Sequence, residues 1–268
     1  MPNILVSNDD GIFAPGLRTL AEAMLALGDA WVVAPKDNQS ASGHRKTMHR
    51  PLRATPVGQV FSPRIKAYAV DGAPSDCVAL ALMGLVEEDI DIVVAGVNSG
   101  PNLGQDVTYS GTVSVTLEAA IFNLPAVAFS LDSRHPDADY RPTVDFLQSI
   151  TRQVLANGLP HHTILNVNFP AIPRKEIRGV RITQQGRRVY RDVLTSRTDP
   201  FGQPYYWIAG AEPEGDIETE GTDIWAIYRG FVSVTPIHLD LTRHEFMPAL
   251  RNWNWDTTPE LSTSEDTP

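Results

Sequence analysis

The 268-residue chain has one cysteine, Cys77. An internal disulfide is impossible, and no Cys/His spacing supports a zinc cluster. Long apolar runs are also missing. Ile4 to Val6 is far too short for a leader or for the roughly 18 residues of a membrane span, and charges follow it at once. Basic charge is scarce: 22 Lys and Arg stand against 32 Asp and Glu, a formal net charge of -10. That balance argues against long-range attraction to nucleic acid or an anionic membrane. Neither the lysine-bearing Walker pattern nor the G-x-G-x-x-G dinucleotide fingerprint occurs, which speaks against an ATPase or a dehydrogenase. The expectation is a soluble cytoplasmic protein with no nucleic-acid and no membrane partner.

What is present is ordinary core material, 42% hydrophobic residues, in a regular rhythm. "NILVS" (3 to 7), "WVVAP" (31 to 35), "KAYAV" (66 to 70), "DIVVAG" (91 to 96) and "AVAFSL" (126 to 131) read as buried strands. Helical patterns separate them. Leu17, Leu20, Ala21, Met24 and Leu25 make one apolar face, with Pro15 suited to the first turn. Ser75 reads as the cap of "DCVALALMGL", and "TVSVTLEAAIFN" (112 to 123) is a further helix. Strand and helix in alternation predict an α/β fold, a mostly parallel sheet with helices on both faces.

After a helix from about 142 and a strand "TILNVNFP" (163 to 170), the rhythm changes. "GVRITQQGRRVYRDV" and "PYYWIAGAE" read as antiparallel strands, and "FVSVTPIHLDL" (231 to 241) as a strand pair broken at Pro236. The expected organisation is one domain over 1–255, with 180–230 a carboxy-terminal β extension for subunit contact, and a flexible tail over 256–268. The basic clusters "HRKTMHR" (44 to 50) and "GRRVYR" (186 to 191) read as solvated surface in preference to phosphate sites.

In an open parallel sheet, ligands bind beyond the carboxyl ends of the strands. The segments there are Asn8-Asp9-Asp10-Gly11, "KDNQSASGH" (36 to 44), "DGAPSDC" (71 to 77) and "VNSGPNLGQDVTYSGT" (97 to 112). Asp9 and Asp10 pose a physical question, because adjacent carboxylates repel and resist burial. A turn at Gly11 would let both face one ligand, and a hard divalent cation, Mg²⁺ or Mn²⁺, would answer the repulsion. Asn98 could add an amide oxygen. "YSGT" (109 to 112) precedes a helix, so backbone N–H groups and the Ser110 and Thr112 hydroxyls could meet an anion, or simply cap the helix. His44 is open between an acid or phosphate contact and a loop histidine. Asp106 reads as turn chemistry in preference to a supporting partner of the site, and Asp223 as structural.

"ILVSNDDG", "VVAP…QSASGH", "GAPSDCV", "GVNSGPNLGQDVTYSGTV", "GTD" (221 to 223) and "VSVTPIHLDLT" together resemble the SurE-type survival-protein nucleotidases. The resemblance implies a metal-dependent phosphatase acting on nucleoside 5′-monophosphates, in many members also 3′-monophosphates and in some short polyphosphate. It implies Asp9, Asp10, Ser40 and Asn98 as metal ligands, where spacing alone does not choose between Ser40 and Ser42. With the residue readings above, the candidate catalytic residues are Asp9, Asp10 and Asn98, and the candidate substrate contacts His44, Ser110, Gly111 and Thr112; the fold that the resemblance implies is a Rossmann-like α/β domain. The resemblance further implies a homodimer or homotetramer built through the β extension. "GAPSDCV" departs from the usual "GTPADCV", and "SVTLEAA" from the smaller residues usual there. Neither departure touches a ligand.

Two nucleophiles stay open, a water and Asp9. An adjacent pair, unlike the Asp-x-Asp of enzymes that form an aspartyl-phosphate, favours water. The rival readings are a nucleotide-binding regulatory protein without turnover and a nucleoside hydrolase-like glycosidase.

Overall fold

A computed structural model describes residues 1–58, 60–210 and 214–255. The expected flexible tail, 256–268, lies outside them. In chain order the first half comprises β1 (Asn3–Ser7), α1 (Pro15–Met24), β2 (Asp29–Pro35), β3 (Ala54–Pro56), β4 (Lys66–Val70), α2 (Pro74–Leu80), β5 (Ile92–Ser99), α3 (Gly111–Ile121) and β6 (Ala126–Leu131). Then come α4 (Val144–Asn157), β7 (Thr163–Phe169), β8 (Val180–Ile182), β9 (Arg188–Val189), β10 (Asp192–Thr198), β11 (Pro204–Gly210) and β12 (Glu214–Gly215). The last are α5 (Asp223–Tyr228), β13 (Val232–His238) and α6 (Met247–Arg251).

Nine strands form one sheet in the order β3-β4-β2-β1-β5-β6-β7-β13-β8. The run from β4 to β7 is parallel, while β3 and β13 pair antiparallel with β4 and β7. Successive strand residues face opposite sides, so each strand must be apolar throughout when helices cover both faces. In β1, Ile4 and Val6 join a core layer with Leu17, Leu20 and Met24 of α1 and Leu147 of α4. Leu5 joins the opposite layer with Cys77 and Val78 of α2 and Val113 and Val115 of α3. Truncating such a side chain to alanine costs about 2–5 kcal/mol. The chain leaves β1 to β2 on one side and returns through β5 on the other, so strand order reverses at β1. That is where a ligand crevice is expected.

Three local expectations are corrected. Ser75 does not cap α2. The helix begins two residues earlier than expected, at Pro74, and the Asp76 carboxylate accepts from the Ala73 N–H (2.8 Å). A proline at the first helical position leaves that work to an acidic residue two places on. The helix also ends at Leu80, running into a wider turn that closes at the left-handed Gly84 (φ 125°). Pro236 does not interrupt its strand. The Val232 N–H and Val234 carbonyl face β8, so by alternation the nitrogen of Pro236 faces the same side. β8 pairs only as far as Val234, so the missing N–H of Pro236 falls beyond the paired stretch on that side, while Pro236 stays in register with Leu165 of β7. Finally, the stretch from 180 is not uniformly antiparallel. β8 runs parallel to β13 in the main sheet, while the β10–β11 hairpin and the short β9–β12 pair are antiparallel. No helix among the described residues is long and apolar enough to cross a membrane.

Candidate active site

The carboxyl ends of β1, β2 and β5 open into a cavity of about 780 Å³, whose walls include Asp9, Asp10, Ser40, Asn98 and Ser110. The turn after β1 is set by Gly11, which is left-handed (φ 99°). The Asn8 amide closes the turn on the Gly11 carbonyl (3.0 Å). Both aspartates thereby reach one cavity, as a regular strand would forbid. Asp9 is only 3% exposed. Its Oδ1 accepts from the Thr112 hydroxyl, and its carbonyl holds the Gln39 N–H (2.7 Å). Asp10 accepts from the Ser99 N–H (3.0 Å), and Ser40 lines the same cavity. The Asn98 amide nitrogen donates to the Gly100 carbonyl (2.8 Å), which turns Oδ1 toward Thr112, 3.2 Å away.

These contacts leave the repulsion unanswered. Burial pushes Asp9 up to about 6, with the Asp10 charge adding to the rise and the Thr112 hydrogen bond only partly opposing it. Burial raises Asp10 as well. Among the described residues no Lys or Arg forms an ion pair with either. Four oxygen donors thus line one cavity with no protein cation ion-paired to either aspartate. That donor set fits a hard divalent ion.

The amino terminus of α3 meets the protein's own carboxylate. A Cβ on Gly111 would lie 2.6 Å from Asp9 Cβ and 2.7 Å from its Oδ2. Only glycine admits this approach, and the helix end favours the negative charge placed there. Ser110 does cap the helix, its hydroxyl accepting from the Val113 N–H (3.1 Å), and it also lines the cavity. Gly111 and Thr112 lie behind Asp9 and do not line the cavity. His44 does not line it either. Its Nε2 lies 2.9 Å from the Glu118 carboxylate, to which Lys46 is also bound (2.6 Å). Burial acts to raise Glu118, but the bonds and charges of His44 and Lys46 outweigh it and hold the group below the usual range.

Sequence reasoning missed part of the wall. Arg134, Tyr109, Asn102, Asp106 and Tyr190 line the same cavity. Asp106 is more than turn chemistry: it binds Arg188 (2.8 Å) and the Tyr190 hydroxyl, tying the loop after β5 to β9 and the residue beyond it. Both "GRRVYR" and "HRKTMHR" are largely exposed as read, with Arg188 the covered basic residue in the first and the Glu118 pairing of His44 and Lys46 an added role in the second. Asn102 is held below by Asn168 and Asn166, whose amides reach its carbonyl at 3.0 and 2.8 Å. A signal existed for these two, since "NVN" puts two amides on one face of an otherwise apolar strand. Asp223 is structural as expected, accepting from the Gly104 and Gly186 N–H groups (both 2.8 Å).

Fold and site together define a Rossmann-like α/β protein with an acidic, oxygen-rich crevice at the reversal of strand order. The family model for survival protein SurE matches residues 4–192, and the chain belongs to that family. It is 48% identical over 252 residues to a protein of Geobacter sulfurreducens named 5′-nucleotidase SurE, covering 94% of each chain. It is 49% identical over 247 residues to 5′-nucleotidase SurE 1 of Thermus thermophilus, covering 92% of this chain and 96% of that one. The crystal structure of the SurE protein from Aquifex aeolicus superposes with a TM-score of 0.79 at 41% identity, over 93% of this chain and 98% of that one.

Proposed function

We propose that the protein is a 5′-nucleotidase that hydrolyses nucleoside 5′-monophosphates to nucleoside and phosphate. In this reading Mg²⁺ or Mn²⁺ is held by Asp9, Asp10, Ser40 and Asn98. The observation that carries it is the convergence of those four oxygen donors on one cavity with no protein cation paired to the aspartates. The names of the Geobacter and Thermus relatives support the substrate class.

A bound divalent cation supplies Lewis acidity toward the phosphoryl oxygens. The chain's own residues do the positioning, which is most of what phosphoryl transfer requires. Thr112 fixes one oxygen of Asp9 and Gly111 crowds the other, so Asp9 is poorly placed to attack phosphorus, and water is the nucleophile of this proposal. Arg134 brings a positive side chain to the cavity beside Gly100, suited to phosphate oxygens. The cavity is within the size range of small-molecule sites, and we extend the substrates to 3′-monophosphates and short polyphosphate. We place the protein in the cytoplasm, where its buried free thiol, Cys77, suits a reducing environment. The β10–β11 hairpin exposes Leu194, Tyr206, Trp207 and Ile208, which supports subunit contact in a homodimer or homotetramer.

The test is phosphate release from a panel of nucleoside 5′- and 3′-monophosphates with Mg²⁺, Mn²⁺ or EDTA. Asp9→Asn and Asp10→Asn are expected to lower turnover about a hundredfold, as for loss of a main electrostatic stabiliser. Nucleotide binding without phosphate release under any metal would leave a regulatory binding protein. Release of free base would point to a glycosidase.

A further inference from the structure

Glu118 sits in the middle of α3 between Val115 and Ala119, all three fully buried. A carboxylate there is costly unless it is paired. Both partners, His44 (2.9 Å) and Lys46 (2.6 Å), come from the long segment 36–53 between β2 and β3. That segment has no helix or strand of its own. It is held instead by discrete ties: Gln39 N–H to the Asp9 carbonyl (2.7 Å), Gly43 N–H to the Tyr109 carbonyl (3.1 Å), and Thr47 N–H to Asp76 (3.0 Å). Ser40 lies between the first tie and the Glu118 cluster. Next to it Ala41 is left-handed (φ 56°), a conformation that persists in a non-glycine residue only where the surroundings impose it.

We propose that Glu118 is a positioning residue for the cation site: through His44 and Lys46 it fixes the loop that brings Ser40 into the cavity wall shared with Asp10. The proposal rests on the reading of Ser40 as a cation ligand. The same helix that holds Asp9 through Thr112 then holds Ser40 through Glu118. Helix α3 is thus a rigid template for both sides of the site. Packing alone gives no reason for an acid at this place in an apolar helix face.

The experiment is calorimetric titration with Mn²⁺ alone of the full chain, Glu118→Gln, His44→Ala and the double variant. It is paired with amide hydrogen exchange over 38–47. Each single change should weaken Mn²⁺ binding about tenfold, as for loss of a group that orients a ligand. The double variant should be no weaker than the weaker single, and exchange over 38–47 should rise while β1 and β5 stay protected. The concentration of Mn²⁺ needed for phosphate release should rise, with kcat at saturating Mn²⁺ little changed. Singles within twofold of the parent, or losses that multiply in the double variant, would overturn the proposal. If Glu118→Gln does not fold, His44→Ala and Lys46→Met carry the test, since both side chains are partly exposed. A parent protein that takes up no Mn²⁺ would overturn the cation reading itself. Loop anchoring is then judged by exchange, and unchanged protection of 38–47 in the variants refutes it.

Discussion

Gly111→Ala probes the closest approach in the site. The new Cβ would stand 2.6 Å from Asp9 Cβ, 2.9 Å from Cγ and 2.7 Å from Oδ2, where ordinary contact begins at 3.4 Å. The shortest of these falls 0.8 Å inside that limit. Asp9 cannot easily yield, because it is buried and tied to Thr112 and Gln39. Either its carboxylate or the first turn of α3 must therefore shift by most of an ångström. A displacement of about 1 Å costs on the order of a hundredfold in rate. Overpacking costs about 1–3 kcal/mol, partly offset because alanine is the better helix former by about 1 kcal/mol. At about 2–4 °C per kcal/mol for a chain of this size, the melting temperature should fall by only a few degrees. The assay is phosphate release from a nucleoside 5′-monophosphate with saturating Mn²⁺, beside Gly58→Ala, whose added Cβ meets nothing within 4 Å. Gly111→Ala should lose about two orders of magnitude in kcat/KM while staying folded, and the control should match the parent. Activity within about threefold of the parent would refute the argument that Asp9 and α3 must touch at this distance.

The raised carboxyl of Asp9 also makes a pH prediction. Its folded value of about 6 lies above the ordinary 3.8, so the metal-free fold is favoured at low pH and loses that stability as pH rises from about 4 through 6. A rise of about two units at about 1.4 kcal/mol each amounts to about 3 kcal/mol. Asp9→Asn keeps an acceptor for Thr112 but not the charge. In EDTA its stability relative to the parent should therefore improve by about that amount between pH 4 and pH 7, as measured by urea unfolding, and an equal difference at both pH values would contradict it. Cys77 is fully buried, and burial first, then the Asp76 charge, pushes its thiol well above the ordinary range. A thiol reagent at pH 8 should leave the native protein unmodified and react with one equivalent after unfolding; rapid native labelling would count against the burial. Trp207→Glu with Ile208→Glu in the exposed hairpin should reduce the mass in solution to that of the monomer, and an unchanged assembly would rule out the hairpin as the contact.

Much of the architecture could be read along the chain. The β1, β4 and β6 segments coincide with "NILVS", "KAYAV" and "AVAFSL", because a strand covered on both faces must be apolar at every position. Pro15 and Ser110 stand where the amino-terminal chemistry of a helix asks for them. For Pro236 and Asp106 local chemistry misleads because the outcome is decided elsewhere in the chain, by the early end of β8 for the first and by Arg188 and Tyr190 for the second, whereas Ser75 gives way to its own neighbour Asp76.

The site divides along the same line. The sequence by itself determined that two adjacent aspartates follow a buried strand, that Asn98 and the "SGT" turn follow another, and that such loops share one sheet edge. These are matters of period and chain direction, set within a few residues by backbone geometry. Only the tertiary structure decided that Asp9 is held by Thr112, 103 residues away, that His44 turns to Glu118 across 74 residues, and that Arg188 closes on Asp106 across 82. Those pairings depend on the order in which strands join the sheet. That order is a balance of burial over the whole core, to which no short segment carries more than a small part.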